Sequence, residues 1–217
     1  MQEEFIGQKF ERDGKPRTIV LTGAGISSSA GIPTFEENPK LRDILTLDYF
    51  RKDYFEFWKI VKELQQTIAD KQPTIAHKLL ANKQEWLIVT MNIDSLHTKA
   101  GTKRLVEVHG NLERVACIKC GKEYPFSIVD STLCCEECGG KLRPKIALYG
   151  ENIKLYNSVM QDINLYSTVI IIGTSFTTNF AEEFKRAAEE LGKKLIVFNE
   201  NADSQVLDYL CEEEFGL

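Results

Sequence analysis

The sequence predicts a doubly wound α/β fold, in which helices cover both faces of a parallel sheet. Five short apolar runs rich in β-branched residues end in small or polar residues, which is typical of strands buried on both faces. Helical patterns lie between these runs, and strands that alternate with helices favour a parallel sheet. The predicted strands are 17–23, 86–92, 105–110, 167–175 and 193–199. The predicted helices are about 27–32, 48–69, 74–82, 94–99, 154–164 and 178–191.

Two segments interrupt this alternation and predict a smaller second lobe. Residues 38–77 are helical and aromatic without a strand, and residues 113–145 hold five of the six cysteines. The remaining ranges, about 1–37, 78–112 and 146–217, then form a larger, Rossmann-like lobe.

The composition narrows the class of protein. With 27 Lys and Arg against 32 Asp and Glu, the formal net charge is −5, which argues against sequence-independent binding of nucleic acid. No apolar run reaches the roughly 18 residues of a membrane span, and the N-terminal residues lack the apolar core of a secretory signal. We therefore expect a cytoplasmic protein that binds neither nucleic acid nor membrane directly.

The cysteine cluster predicts a structural zinc site. Two residues separate Cys117 from Cys120 and Cys135 from Cys138, and fourteen residues lie between the pairs. This spacing matches a four-cysteine zinc ribbon, in which four protein ligands leave no open position on the metal. Cys134 fits the spacing less well than Cys135. Disulfides are disfavoured in a reducing compartment, and buried free thiols are the alternative interpretation.

A glycine-rich turn follows the first predicted strand and opens a helix. Gly23 and Gly25 match the first two glycines of a dinucleotide fingerprint, and Ser28 replaces the third. Glycine lets the backbone approach a pyrophosphate, and unpaired N–H groups at a helix N-terminus attract anions. The alternative is a tight turn that needs a positive φ. The same stretch runs into two carboxylates, Glu36 and Glu37, which are unexpected beside an anion.

The carboxyl ends of the predicted strands converge on one crevice, which is where ligands of such sheets bind. These ends carry Gly23-Ala24-Gly25, Asn92-Ile93-Asp94, His109-Gly110, Gly173-Thr174-Ser175 and Asn199-Glu200. Among them, the His109 side chain suits proton transfer at neutral pH. We expect the other two histidines, His77 and His97, to be structural, because both lie in predicted helices.

The order of these motifs resembles the sirtuins, the family of NAD-dependent protein deacylases. The chain reads GAGIS and GIPTF, then TMNIDSLHTKAG, EVHG, the two cysteine pairs followed by GGKLRPKIALYGE, then GTS and FNEN. Each motif alone is a modest signal, but this order over about residues 18–201 is very specific. The resemblance implies that residues 1–217 form one catalytic module, with NAD as cofactor and Zn²⁺ as a structural metal.

The resemblance also implies a reaction. A sirtuin cleaves the nicotinamide–ribose bond of NAD and transfers the acyl group of a modified lysine to ADP-ribose. His109 would be the general base that takes a proton from the ribose hydroxyls, and Asn92 would position the ribose or a water. Asp94 and the Ile93 backbone would hold the nicotinamide carboxamide. The residues expected at the cofactor are Gly23, Ala24, Gly25, Ser28, Thr34, Phe35, Met91, Asn92, Ile93, Asp94, His109, Gly173, Thr174, Ser175, Asn199, Glu200 and Asn201.

The substrate position follows from the same resemblance. An acyl-lysine protein or peptide would add as a strand along one segment, by backbone hydrogen bonds. This segment consists of Ile146, Ala147, Leu148, Tyr149 and Gly150. The alternative is an ordinary strand that leads back into the main sheet.

The acyl preference is predicted from a residue pair that this chain lacks. Sirtuins that prefer acidic acyl groups carry Tyr and Arg three positions apart in the helical insert. This chain has Trp58 and Val61 there, and an apolar pair cannot stabilise a carboxylate. We therefore predict a neutral acyl group.

The chain departs from the family pattern on the cofactor side. Glu36 stands where the family has Arg, Met91 where it has Gln, and Thr178 and Phe180 where it commonly has Val and Pro. Because these departures lie on the cofactor side, we expect them to affect NAD affinity and turnover and to leave the fold unchanged. Two alternatives stay open: an NAD glycohydrolase or protein ADP-ribosyltransferase on the same fold, and a non-catalytic module that binds NAD or ADP-ribose. Retention of His109 favours the deacylase.

Overall fold

The computed structural model describes residues 2–5, 8–11, 17–34, 37–176 and 178–215. Its strands are β1 (Gln2–Phe5), β2 (Gln8–Glu11), β3 (Thr18–Thr22), β4 (Leu87–Thr90), β5 (Leu105–Glu107), β6 (Gly110–Cys117), β7 (Glu123–Pro125), β8 (Leu142–Ile146), β9 (Thr168–Ile172) and β10 (Lys194–Phe198). Its α-helices are α1 (Pro39–Ile44), α2 (Leu47–Lys52), α3 (Tyr54–Ala69), α4 (Ile75–Asn82), α5 (Leu96–Lys99), α6 (Tyr156–Asp162), α7 (Asn179–Glu190) and α8 (Ala202–Phe215). Short 3₁₀ helices cover Ala24–Ala30, Phe126–Asp130 and Ile163–Leu165.

Five strands form the parallel sheet that the sequence predicts. Their order is β10-β9-β3-β4-β5, and every neighbouring pair is parallel. Each of the five predicted runs contains one of these strands, so the predicted sheet is confirmed. The strands end earlier than the runs, because the small and polar residues at the end of each run form loops at the carboxyl edge.

Helices cover both faces of this sheet, as a doubly wound fold requires. On one face, Val159 of α6 and Phe184 of α7 belong to the same buried cluster as Leu21. On the other face, Leu80 of α4 and Val206 of α8 share a cluster with Val20. Consecutive residues of one strand therefore enter opposite cores, which explains why the strands are apolar at nearly every position.

The helical segment and the cysteine-bearing segment share a third core. Phe57, Trp58 and Val61 of α3 pack in one cluster with Val115 and Leu142, which belong to the antiparallel sheet β7-β6-β8. Trp58 Nε1 also donates to the Leu142 carbonyl at 3.3 Å. This is the predicted smaller lobe, and its residue boundaries stay a prediction.

Four elements differ from the predictions. Helix α8 and the β1–β2 hairpin are absent from the predicted set. The predicted helix 48–69 is two helices, because Asp53 ends α2 and its side chain caps α3 by accepting from Glu56 N at 3.2 Å. The predicted helix 27–32 is the 3₁₀ helix Ala24–Ala30, which begins three residues earlier. In the described part of the chain, every helix is too short or too polar to cross a bilayer.

Two buried histidines lie side by side between α4 and α5. The ring centroids of His77 and His97 are 4.5 Å apart. His77 Nδ1 lies 2.8 Å from Thr74 Oγ1, and His97 Nε2 lies 3.0 Å from Thr22 Oγ1. Burial lowers the pKa of His77 to about 4 and holds the pKa of His97 well below its usual value, because the charged ring would lose its hydration.

The histidine pair should make the fold less stable in mild acid. Below about pH 6.5 the unfolded chain binds a proton at each histidine while the folded chain stays neutral, so the free energy of unfolding decreases as the pH falls from 6.5 toward 4. Each histidine contributes at most about 1.4 kcal/mol per pH unit in this window. Urea unfolding at pH 7.5 and 5.5 measures the loss. His77→Gln cannot titrate and should lose less; an equal loss in both proteins would contradict the assignment.

Candidate active site and metal centre

A cleft of about 1280 Å³ opens at the carboxyl edge of the parallel sheet and is lined by both lobes. Small-molecule sites commonly have roughly 300–1,000 Å³, so the cleft has room for a dinucleotide together with part of a second ligand. The predicted residues that line it are Gly23, Ala24, Gly25, Ser28, Thr34, Met91, Asn92, Ile93, His109, Ile146, Ala147, Leu148, Tyr149, Gly150, Gly173, Thr174, Ser175, Asn199, Glu200 and Asn201.

Glycines let the loops after β3 and β9 cross in direct backbone contact. Gly23 N donates to Ile172 O at 2.9 Å, and Gly25 N donates to Gly173 O at 2.8 Å. A Cβ atom at Gly23 would lie 2.7 Å from Gly173 O, and one at Gly25 would lie 2.7 Å from Gly173 Cα. Gly23 has a φ of −117°, so the positive-φ turn considered from the sequence is wrong for this residue. We call this contact the glycine crossing.

The glycine crossing also determines which backbone N–H groups of the turn are available to a ligand in the cleft. The N–H groups of Gly23 and Gly25 are already bonded across it. The Ala24 N–H has no acceptor among the residues that the structure describes. Of the three N–H groups of this turn, the one at Ala24 is therefore available for an anion.

Asn92 is held by the same crossing. Its Nδ2 donates to Gly23 O at 3.1 Å and to Ser27 Oγ at 3.2 Å. Both amide hydrogens are thereby used, which leaves Asn92 Oδ1 as the acceptor of this cleft-lining side chain.

Asp94 lies behind the cleft rather than in its wall. It is 5% exposed, accepts from Ser27 Oγ at 2.6 Å and accepts from Leu96 N at 2.9 Å. These bonds hold a turn in which Ser95 has a φ of 60°, a left-handed value that is uncommon outside glycine. The contacts seen for Asp94 therefore support the turn, and its predicted contact with a cofactor stays a prediction.

His109 faces the cleft with one ring nitrogen fixed. Its Nδ1 lies 2.8 Å from the carbonyl oxygen of Met91. A carbonyl only accepts, so Nδ1 carries the proton and Nε2 is left as an acceptor. Burial lowers the pKa of His109, partly offset by the bond to Met91. The ring is therefore neutral at pH 7.

One of the two carboxylates noted in the sequence has a local partner. Glu37 Oε2 accepts from Thr34 N at 2.7 Å, and Glu37 N donates to Thr34 Oγ1 at 3.3 Å. These bonds lower the pKa of Glu37 and close the turn that precedes α1. Phe35 and Glu36 lie outside the described residues.

The predicted substrate segment is largely bonded to the protein itself. Tyr149 N donates to Leu45 O at 2.8 Å, and Tyr149 O accepts from Leu47 N at 3.0 Å. Ala147 N donates to His109 O at 2.8 Å. Within residues 147–150, the groups without a described partner are the Ala147 carbonyl and both backbone groups of Gly150. A peptide would therefore pair at Ala147 and Gly150 rather than along the whole segment.

An ion pair holds this segment in a tight bend. Arg143 donates to Glu151 through both terminal nitrogens, at 2.6 and 2.7 Å. Glu151 also accepts from Leu148 N at 2.9 Å, and Arg143 donates to Ile146 O at 2.9 Å. Both side chains are about three-quarters buried, at 24% and 21% exposure. The bend thus has a fixed shape before any peptide arrives.

Several lining residues have no counterpart among the predictions. Asp203, at the start of α8, accepts from Ser29 Oγ at 2.6 Å and from Ala76 N at 2.7 Å. A prediction of α8 would have placed Asp203 at the cleft. Arg42, on α1, gives no sequence signal because it is an ordinary exposed arginine. The unpredicted lining residues are Ile26, Ser29, Pro39, Arg42, Leu45, Glu151, Ile153, Asn179, Ala202, Asp203 and Ser204. Thr178 and Phe180, the departures noted on the cofactor side, also line the cleft.

Trp58 and Val61, the pair from which the acyl preference is predicted, do not line the cleft. Trp58 is 1% exposed and Val61 is 0% exposed, and both lie in the core of the smaller lobe rather than in the cleft wall. Beside His109 the cleft is lined by Ile146 and Leu148.

The four predicted cysteines form one compact cluster. The sulfur atoms of Cys117, Cys120, Cys135 and Cys138 all lie within 4.8 Å of one another. Two of the pairs are 3.5 and 3.7 Å apart, too far for a disulfide. In a tetrahedral site with Zn–S bonds of about 2.3 Å, the sulfurs are about 3.8 Å apart. Cys134 is exposed and outside the cluster, as the spacing predicts.

Both cysteine pairs have the same turn. Gly121 follows Cys120 with a φ of 76°, and Gly139 follows Cys138 with a φ of 66°. Each glycine N–H donates to the carbonyl of the first cysteine of its pair, at 3.0 and 2.9 Å. The positive φ values require glycine at these two places, and each turn brings two sulfurs to the same side.

A hydroxyl prepares one of these sulfurs for a metal. Tyr124 OH lies 3.1 Å from Cys135 Sγ and lowers the pKa of this thiol to about 6. A thiolate is the form that binds zinc. The donor set, its spacing and this thiolate therefore fit Zn²⁺.

Comparisons with known proteins agree with this arrangement. The sequence model of the Sir2 family matches residues 23–179. An NAD-dependent protein deacetylase of Saccharolobus solfataricus is 34% identical over 230 aligned positions, covering 97% of this chain and 90% of that protein. One from Thermodesulfovibrio yellowstonii is 36% identical, covering 90% and 84%. A solved structure described as Sir2 with p53 peptide and NAD⁺ has a TM-score of 0.81 and 29% identity, covering 92% and 93%.

Removal of zinc should destabilise the smaller lobe, because binding of a structural metal is coupled to folding. We expect one zinc per chain by elemental analysis and a lower melting temperature after chelation. Cys120→Ser should lose the metal, whereas Cys134→Ser, an exposed cysteine outside the cluster, should keep it. Purified protein without metal, or equal melting with and without chelator, would contradict the zinc site.

Proposed function

The chain belongs to the Sir2 family, and from this membership we propose that it is an NAD-dependent protein-lysine deacetylase. It would transfer the acetyl group of a modified lysine to ADP-ribose and release nicotinamide. The observation that carries the proposal is one cleft in which a neutral His109 and an oriented Asn92 lie next to the glycine crossing. The predicted lobe boundaries and the cytoplasmic location remain part of this proposal.

His109 is the proposed general base. Its Nε2 is the ring's acceptor because Nδ1 is bonded to Met91 O. A lowered pKa keeps the ring unprotonated at neutral pH, so Nε2 can take a proton from a ribose hydroxyl. The Met91 carbonyl also fixes the ring plane, which reduces the cost of orienting the base.

Asn92 is the proposed orienting residue. Both of its amide hydrogens are used by Gly23 O and Ser27 Oγ, so Oδ1 accepts a hydrogen bond from whatever lies in the cleft. A ribose hydroxyl or a water can supply that hydrogen. The Asn92 side chain thereby holds one reactant at a defined angle.

The cleft residues fit NAD. The Ala24 N–H beside the glycine crossing would meet the pyrophosphate. Thr174 N donates to Asn199 Oδ1 at 3.2 Å, which joins the loops after β9 and β10 into one wall for the adenosine half. Bound NAD supplies an activated ribose carbon and a nicotinamide leaving group. Zinc on the four cysteines is assigned a structural role, because all four ligand positions are protein sulfurs.

The acyl group is proposed to be neutral. Ile146 and Leu148 line the cleft beside His109, and Ala147 N is bonded to the His109 carbonyl. Burying an unpaired carboxylate against such a wall is costly. An acetyl group or a longer hydrocarbon acyl group has no such cost.

Replacement of His109 tests the proposed base. His109→Ala should lower the rate of NAD-dependent deacetylation roughly 10²–10⁴-fold while zinc content and melting temperature stay unchanged. In the native protein, kcat/KM should fall only below about pH 6.5, because the pKa of His109 lies under that value. Steady-state rates with an acetyl-lysine peptide measure both effects. Full activity in the variant would move the base elsewhere.

Replacement of Glu36 tests the departure from the family pattern. Glu37 keeps its charge but is held on Thr34, so Glu36 is the carboxylate to replace. Glu36→Arg should tighten NAD binding on the order of tenfold, about 1.4 kcal/mol, with a smaller gain at high salt. Calorimetry at two ionic strengths measures this, and Glu113→Arg, an exposed residue outside the cleft, is the control. An unchanged dissociation constant at low salt would mean that Glu36 points away from the cofactor.

A further inference from the structure

Arg42 lies at the cleft beside the segment proposed to receive the peptide. It belongs to the last turn of α1, is exposed and lines the cleft. Its guanidinium carbon lies 5.5 Å from the centre of the Tyr149 ring, a distance at which a cation is attracted to an aromatic face. This contact keeps the charge at the edge of the cleft.

The position of Arg42 is fixed by the backbone as well as by the ring. Tyr149 is bonded through its N and O to Leu45 and Leu47, directly after α1. Helix α1 and the bend at residues 146–150 therefore form one unit. Arg42 contacts Tyr149, the residue between the backbone groups of Ala147 and Gly150 that are available to a peptide.

The charge of Arg42 has no opposite partner in the described part of the chain. No described carboxylate lies within 4 Å of its nitrogens. The acidic residues that line the cleft either have other partners or lie far from Arg42. Glu151 is paired with Arg143, Asp203 is bonded to Ser29 and Ala76, and Glu200 follows β10 at the far edge of the sheet.

Arg42 is also the one Lys or Arg among the described residues that line the cleft. An unpaired cation at the rim of a peptide site favours a peptide that brings a carboxylate. A guanidinium is suited to this task, because its fork of N–H groups matches a carboxylate.

We propose that Arg42 is a specificity-determining residue that selects acyl-lysine peptides with an acidic side chain near the modified lysine. This inference rests on the proposed deacetylase function and on a peptide at residues 146–150. The pyrophosphate of NAD is the other anion of the site, but it is assigned to the glycine crossing. Arg42 contacts Tyr149 instead.

Matched peptide pairs test the inference. Both peptides of a pair contain one acetyl-lysine and are identical except at one position, which is Glu in one peptide and Gln in the other. That position is one of the three on either side of the acetyl-lysine. The native protein should prefer Glu at one or two positions by about two- to fivefold in kcat/KM at low salt, the range of an exposed ion pair. Arg42→Gln should bring that ratio to about one and leave the KM for NAD unchanged. Lys40→Gln, on the same helix but outside the cleft lining, should keep the preference.

Other outcomes overturn the inference. The first is equal rates for the Glu and Gln peptides at every position. The second is a preference for Glu that survives in Arg42→Gln. The third is a rise in the KM for NAD in Arg42→Gln while the ratio of kcat/KM between Glu and Gln peptides is unchanged. The last result would assign Arg42 to the dinucleotide. If no peptide is deacetylated, the proposed function fails instead. In that case, the same peptide pairs are given a fluorescent label, and their affinities for the native protein and for Arg42→Gln are measured by fluorescence polarisation. These affinities test the role of Arg42 without requiring turnover.

Discussion

The glycine crossing is the contact on which the rest of the site depends. Two loops at the carboxyl edge of the sheet touch backbone to backbone at Gly23, Gly25 and Gly173, and a Cβ at any of them would lie within 2.7 Å of the other loop. The contact joins the ends of β3 and β9 and sets the floor of the cleft. It also uses the N–H groups of Gly23 and Gly25, which are then not available to a ligand, so the glycines shape the site chiefly by packing against each other.

Hydrogen bonds lead from the crossing to the residues proposed to act in the reaction. Asn92 donates to Gly23 O, and the carbonyl of the preceding residue, Met91, accepts from His109. The orienting residue and the base are thus both fixed by the backbone around the ends of β3 and β4. Their orientation does not depend on the side chain of Met91. This accounts for how a methionine can stand at a position where the resembled family has glutamine.

The sequence predicts most of the fold, because strands buried on both faces leave a continuous apolar pattern. The cysteine spacing predicts the metal centre equally well, since two C-x-x-C turns have few other uses. Chemistry that depends on packing is harder to predict. Asp94 follows a strand, but no local pattern predicts that it is buried and holds the turn before α5 through Leu96 N. Arg42 is important only because the fold brings α1 against Tyr149, and no local pattern encodes that contact.

The identity of the product is the most direct test of the proposed function. The native protein is incubated with NAD, with and without an acetyl-lysine peptide, and the products are resolved by mass. We expect acetyl-ADP-ribose and free nicotinamide in equal amounts, and only when the acetylated peptide is present. Free ADP-ribose formed without peptide would contradict the proposal and identify an NAD glycohydrolase. Unchanged NAD and peptide would indicate a binding module without this activity.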